Sequence, residues 1–311
     1  MRKGKYALSL VASGLLTLAA GIASAQTVKI GCTATPDCAA AMIAIDEGIF
    51  KKHGLEAEMV LVTLNSNIPA ALLSNSLQFG GPTPSVLLQA IDGGLDLVAV
   101  ANASTMNEVT KDAIVLLARP DSNISTAKDF VGKKVAVPGF NALLHVLLRQ
   151  WLLENGVDPK SVQFVEGTFP TMGDLLKGGT VDGIILGEPF LSRVTGANIG
   201  KVVAKYLSSM PNGESIIYYA ADRRWADANP KAVAAFRAGL AEAAKIAATD
   251  QEKVRASVAK FLKMPPQAAA NIKPGDYDPT IKTSQIDWWL NVMNKQGMLQ
   301  TKIDPAKVLL K

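Results

Sequence analysis

The stretch Lys134 to Val157, KVAVPGFNALLHVLLRQWLLENGV, limits the chain's choice of fold more than any other. Val135, Ala136 and Val137 form a short apolar run, which Pro138 and Gly139 forbid from continuing as a strand. Beyond them Leu144, Leu148 and Trp151 recur at helical spacing, with Leu143, Leu147 and Leu152 widening the apolar stripe and Gly156 supplying a left-handed stop. Asn141 is placed to cap that helix. The unit is therefore strand, tight turn, helix, with the backbone N–H groups of a helix N-terminus just past the carboxyl end of a strand. In open α/β sheets ligands bind at such places, although many βα units carry an empty loop there.

The rest of the chain repeats this unit. Val28 to Gly31 reads as a strand, Cys32 to Cys38 as a polar turn, and a helix follows from Ala39 to the stop at Gly54. Leu55 to Val62, Leu77 to Phe79 and Leu95 to Val100 read as further strands, with a helix begun by Thr83 and Pro84 and a polar loop over Asn102 to Thr110. After Ala113 to Ala118 the order restarts: strands at Val135, Val162 and Val181, and a turn at Gly187-Glu188-Pro189. Ser215 to Ala221 is a β-rich return, and helices fill the remainder, with Pro265-Pro266 as a break. The order recurs without a strict period, which gives two similar α/β bodies and not a solenoid. Alternating βα units imply mostly parallel sheets, and two crossings imply a hinge.

Met1-Arg2-Lys3-Gly4-Lys5 leads into an uncharged apolar segment from Tyr6 to Ile22 that closes on Ala23-Ser24-Ala25. This is the form of a secretory signal peptide cleaved after Ala25; a membrane anchor is the alternative, but the apolar part is short and broken by Ser13 and Gly14. Without Arg2, Lys3 and Lys5 the basic residues fall from 32 to 29 against 27 acids, so the formal charge drops from +5 to +2. The even scatter of what remains offers no nucleic-acid surface. In an oxidising compartment Cys32 and Cys38 can close a small loop, or stay as two thiols. Against a lipid anchor at Cys32 stands Lys29, three residues earlier, where lipid-attachment signals want an aliphatic residue.

Four segments resemble a known family. They are Ala44 to Leu55 (AIDEGIFKKHGL), Leu87 to Val100 with Gly93-Gly94-Leu95-Asp96-Leu97, Gly132 to Gly139 (GKKVAVPG), and Gly178 to Pro189. In this order they resemble the periplasmic substrate-binding proteins of ABC importers, of nitrate, sulfonate and taurine type, which share a domain with a pyrimidine synthase. The resemblance implies an α/β, two-lobe periplasmic-binding-protein fold of type II, each lobe a mostly parallel sheet flanked by helices, joined by a two-strand hinge. It divides the chain into a signal peptide at 1–25, a first lobe of 26–118 and 217–311, and a second lobe of 119–216. It implies a periplasmic monomer that closes on a small-molecule solute and presents it to an inner-membrane permease, with no cofactor. Sulfonate, nitrate or taurine is the favoured solute class; a thiamine-type pyrimidine, an amine or an aromatic acid is the alternative, as is a sensory role, with a pyrimidine-synthase-like enzyme ranked below these. Family members often have Asp where Gln78 stands, and Phe140-Asn141 replaces the usual small Ser and Thr, so the resemblance does not carry over a ligand.

Loops at strand ends supply the ligand-binding candidates: Thr33 and Thr35, Asn65 and Ser66, Thr83 and Ser85, Phe140 and Asn141, His145, Thr168 and Glu188. Each of the Ser, Thr and Asn residues can instead serve a local turn or cap. His145, one turn beyond Asn141, belongs either to a solvated helix face beside Arg149 or to the cleft. Phe140 offers a flat apolar surface to an aromatic solute, or packs its own turn. Glu188 either caps the short helix after Pro189 or faces the cleft, where it repels a sulfonate or nitrate and suits an amine, an amidine or a protonated ring. The chain is not read as an enzyme: it has only two histidines, His53 and His145, and no G-x-S-x-G, H-E-x-x-H or phosphate-loop motif.

Overall fold

The computed structural model describes residues 27–273 and 275–311, so the signal-peptide segment lies outside the described residues. Ten strands form two sheets of five. In chain order they are β1 (Val28–Cys32), β2 (Ala57–Leu61), β3 (Phe79–Gly80), β4 (Leu97–Thr105), β5 (Val115–Ala118), β6 (Lys134–Val137), β7 (Gln163–Glu166), β8 (Gly183–Leu186), β9 (Lys201–Ala204) and β10 (Ser215–Asp222).

The two sheets share one plan. The first runs β2-β1-β3-β10-β4 and the second β7-β6-β8-β5-β9. In each, three strands are parallel and the fourth is antiparallel: β1 pairs in parallel with β2 and β3, while β10 runs against β3 and β4. Likewise β6 pairs in parallel with β7 and β8, and β5 runs against β8 and β9. The antiparallel strand of each sheet is the one the chain enters from the other sheet. By pairing, the chain crosses between Thr105 and Val115 and returns between Ala204 and Ser215. β5, expected at the end of the first lobe, is thus an inner strand of the second sheet, and Ser215 and Ile216 belong to the first. An all-apolar strand such as Val-Leu-Leu-Ala, buried on both faces, carries no mark of which sheet will take it.

β4 also corrects the sequence reading, because it continues through Thr105 where a polar loop was expected from Asn102. Its polar side chains are buried, and two of them donate to distant partners. Asn102 Nδ2 donates to the Asp278 carbonyl at 2.6 Å and Ser104 Oγ to Asp37 Oδ1 at 3.0 Å, so burial carries no unpaired-group penalty at those atoms. A helix, Glu108–Ala113, follows with an Asn107–Thr110 capping box.

The C-terminal helices pad the first sheet. Phe236, on the helix Pro230–Thr249, stacks on Phe79 of β3 at 3.9 Å between ring centroids and on Phe50 at 5.5 Å, while Tyr219 and Trp225 meet these rings edge-on. Gly239 admits this packing: a Cβ there would lie 2.5 Å from the Phe50 ring. Trp289, fully buried, donates from Nε1 to the Ser215 carbonyl at 3.0 Å, tying the helix Thr283–Lys295 to the returning strand. Among the described residues no helix is long and apolar enough to cross a membrane.

Candidate functional site

The parallel strands of both sheets end at a common cleft, and a cavity of about 90 Å³ lies there. The first sheet contributes Thr33, Thr35 and Asp37 beyond β1, Asn65 beyond β2 and Thr83 beyond β3; the second contributes Pro138, Ala142 and Leu143 beyond β6, Phe169 beyond β7 and Glu188 beyond β8. This is the position that α/β sheets use for ligands, here doubled. Most of the wall is apolar, with Ile114, Leu144, Phe190, Ile216 and Ile217 completing it.

Five of the eleven residues proposed from sequence reach the cavity: Thr33, Thr35, Asn65, Thr83 and Glu188. Asn65 is committed to its neighbours, donating to the Gly81 carbonyl at 3.1 Å and accepting from Thr83 N–H at 2.9 Å. Thr83 caps the helix Pro84–Asp92, accepting from Val86 N–H at 3.4 Å, and also accepts from Leu143 N–H at 3.2 Å. Leu143 opens the helix of the other lobe, whose own N-cap, Ala142, has no side chain to offer. One hydroxyl thus serves two helix termini across the cleft. Glu188 accepts from Ser192 Oγ at 2.6 Å and from Ser192 N–H at 3.3 Å, the capping geometry of the helix Phe190–Gly196.

The remaining six do not line the cavity. Ser85 is buried behind Thr83, 3.1 Å from its hydroxyl. Thr168 shares a hydrogen bond with Thr171 at the start of the helix Phe169–Lys177. Ser66 donates to Glu166 Oε1 at 2.7 Å, joining the two lobes directly. Phe140 is 42% exposed and turns away. Asn141 does not cap its helix; it takes a left-handed φ of 60° and donates its N–H to His145 Nδ1 at 2.9 Å. His145 is 4% exposed, beneath Phe164 and Phe140, because the first six residues of its helix are all buried. Burial, and secondarily the nearby Arg149 charge, push its pKa down to about 3, so it is a neutral packing group.

These contacts change the reading of the glycine turn. Four consecutive N–H groups are engaged: Phe140 donates to Glu166 Oε1 at 2.7 Å, Asn141 to His145, Ala142 to the Gly139 carbonyl at 3.3 Å and Leu143 to Thr83. The turn serves lobe contact. Gly139, at φ 147°, lies so close to the other lobe that a Cβ would stand 3.2 Å from Ser66 N. Farther out, Gln296 accepts from Arg149 Nε and donates to the Val146 carbonyl, both at 3.1 Å, adding a second bond set between lobes.

Asp37 was missed. It lies in the turn beyond β1 beside Thr33 and Thr35, so the strand-end rule that selected those two also covers it; its place in a Pro-Asp turn concealed it. Asp37 keeps some surface on the cavity, yet protein surrounds its carboxyl closely enough that desolvation pushes its pKa up. Thr35 leans toward it and favours the charged form without completing a well-shaped hydrogen bond, and Ser104 adds one. Lys273, exposed at the mouth, is the cavity's third charged residue, and nothing in its local sequence marks it. Cys32 and Cys38 are joined as a disulfide, with Cα atoms 6.6 Å apart, and brace the turn that carries Asp37. Among the described residues no group of three or more His, Cys, Asp or Glu is arranged to hold a metal ion.

Residues 35–254 match the family model described as NMT1/THI5 like. The chain is 24% identical over 281 residues to the nitrate import ATP-binding protein NrtC of Synechocystis, covering 81% of this chain and 40% of that protein. It is 26% identical over 264 residues to the bicarbonate-binding protein CmpA of Synechococcus elongatus, covering 76% and 57%. The chain thus spans about half the length of the curated relatives it matches. Among solved structures, the alkanesulfonate-binding protein SsuA from Xanthomonas axonopodis pv. citri aligns with a TM-score of 0.74 at 19% identity, over 91% of this chain and 98% of that one. The periplasmic nitrate-binding protein NrtA from Synechocystis aligns with a TM-score of 0.72 at 15% identity, over 91% and 84%. The fold is that of the periplasmic binding proteins.

Proposed function

This chain belongs to the NMT1/THI5-like family, and from that premise we propose that it is an exported solute-binding protein of an ABC importer. It captures a small solute between its lobes, as a monomer in the periplasm, and delivers it to the permease. Its work is capture and not catalysis. The observation that carries this reading is the cavity at the carboxyl ends of both sets of parallel strands, walled by both lobes. Around it the lobes touch through Thr83–Leu143 and Ser66–Glu166, contacts that a hinge opening would break. A solute that touches both walls binds the closed form better than the open one, and so shifts that equilibrium by its differential affinity. The relatives' printed ligands, nitrate, bicarbonate and alkanesulfonate, make small oxyanions the first class to test.

The test is small-angle scattering together with thermal unfolding of the mature chain against nitrate, bicarbonate, alkanesulfonates, taurine, amines, pyrimidines and aromatic acids. A solute at a hundred times its dissociation constant adds about 2.7 kcal/mol of stability. The expected result is one class that both compacts the particle and raises the melting temperature. If none does either, solute capture is refuted.

A further inference from the structure

The charge of the cavity bears on which solute the site takes, and this step rests on the solute-binding reading above. The charged residues on its wall are Asp37 from the first lobe, Glu188 from the second and Lys273 at the mouth, a formal balance of −1. Among the described residues no Arg or His lines it. Among the described residues neither carboxylate has a cation within ion-pairing distance, Lys273 included. Each carboxylate offers about four acceptor positions; Ser104 fills one on Asp37, and Ser192 fills two on Glu188. Removing a carboxylate from water is costly unless a positive charge or several donors replace the lost hydration. The cavity supplies neither in full.

An oxyanion would need donors, and at the nearest helix terminus most of the N–H groups ahead of the helical ladder are already engaged. The N–H groups of residues 140 to 143 are all taken, by Glu166, His145, Gly139 and Thr83. The rest of the wall is built for an apolar body, from Ile114, Leu143, Phe169, Phe190, Ile216 and Ile217.

We propose that the cavity takes a compact apolar solute bearing a cationic head, an ammonium or an amidinium, recognised by Asp37 and Glu188 from opposite lobes. A cation contacting both carboxylates relieves two uncompensated charges only when the lobes are together, so recognition and closure are the same event. An anion of equal size meets two carboxylates, and the N–H groups of residues 140 to 143 are already engaged.

The test uses the mature full chain in calorimetry and scattering with benzylamine, benzamidine and isobutylamine, against benzyl alcohol, benzoate, taurine, ethanesulfonate, nitrate and bicarbonate. The expected result is binding and compaction with at least one cation. Asp37→Asn and Glu188→Gln should each weaken that binding by about tenfold or more, while changing benzyl alcohol binding by less than about threefold. Asp37→Glu gives the same reading if Asp37→Asn fails to fold: a cation-recognising carboxylate retains part of the affinity. If nitrate, bicarbonate or a sulfonate binds and compacts the protein, and the two neutralising variants tighten it, the cationic assignment is overturned while solute capture stands. If no probe of any charge binds or compacts it, both fall together.

Discussion

His145 provides a test of the architecture that needs no ligand. The ring lies beneath Phe164 and Phe140, its Nδ1 accepts the Asn141 N–H, and its Nε2 is buried with no partner among the described residues. Because a backbone N–H can only donate, Nδ1 must be the unprotonated nitrogen, and the native ring is neutral. Its pKa falls from 6.5 to about 3, through burial first and the Arg149 charge second. Between those values the unfolded chain binds a proton that the native ring refuses, so stability decreases as pH falls below about 6.5. The limiting slope is about 1.4 kcal/mol per pH unit, which amounts to about 2 kcal/mol by pH 5.0. His145→Gln keeps a side-chain acceptor and removes the titration. Urea unfolding of both proteins at pH 7.5, 6.0 and 5.0 reads the result. The variant should be the weaker at pH 7.5, where it loses the edge-on contact with Phe164, about 1 kcal/mol. The gap should close or reverse by pH 5.0. A gap that stays constant across this range would show that His145 titrates alike in both states, and the buried placement would be refuted.

Glu214, between β9 and β10, has the opposite sign. Burial raises its pKa from 4.5 to about 7, so its contribution is complete below pH 4.5 and is lost as pH rises through 7. The full shift corresponds to about 3 kcal/mol, and its partial exposure reduces the expectation to about 1–2 kcal/mol. Glu214→Gln should gain that much on the wild type between pH 5 and 8 in the same unfolding assay; parallel profiles would contradict it. Replacing Cys32 and Cys38 by Ala opens a loop of separation 6 and should cost about 2 kcal/mol, read as a lower urea midpoint, whereas an unchanged midpoint would show that the bond does not constrain the unfolded chain. Ser66→Ala removes a bond to a charged acceptor across the cleft and should favour the open form by about 1–2 kcal/mol. Scattering should show a larger radius of gyration with no change in far-ultraviolet circular dichroism, and an unchanged radius would mean that this bond does not hold the lobes together.

The sequence was informative wherever one local pattern admits one structure. Thr83 before Pro84 is an N-cap in any context, and Gly156, at φ 73°, ends its helix as read. The apolar runs at Val28, Val135 and Gly183 are parallel inner strands, because buried parallel strands carry such runs. Failures arise where a distant partner decides. Asn102, Ser104 and Thr105 read as loop because the Asp278 carbonyl and the Asp37 carboxyl that satisfy two of them come from elsewhere in the chain. His145 read as a polar face because Phe164, which covers it, lies on a later strand. Thr83 had one visible role and holds two, since the Leu143 N–H arrives from the other lobe.

The glycine turn after β6 shows why a strand-end loop need not be a ligand loop. Free helix N–H groups attract an anion only while nothing in the protein has claimed them. Here Glu166 from β7, the ring of His145 and the hydroxyl of Thr83 claim those of Phe140, Asn141 and Leu143, and Gly139 is small enough to let Ser66 approach. The turn is therefore part of how the lobes meet, and in the proposal above selectivity passes to the charged side chains of the cavity wall that no cation pairs among the described residues. Those are the carboxylates of Asp37 and Glu188, one from each lobe. A solute that satisfies both must span the cleft, which is the condition for a ligand to drive closure and not merely to occupy one wall.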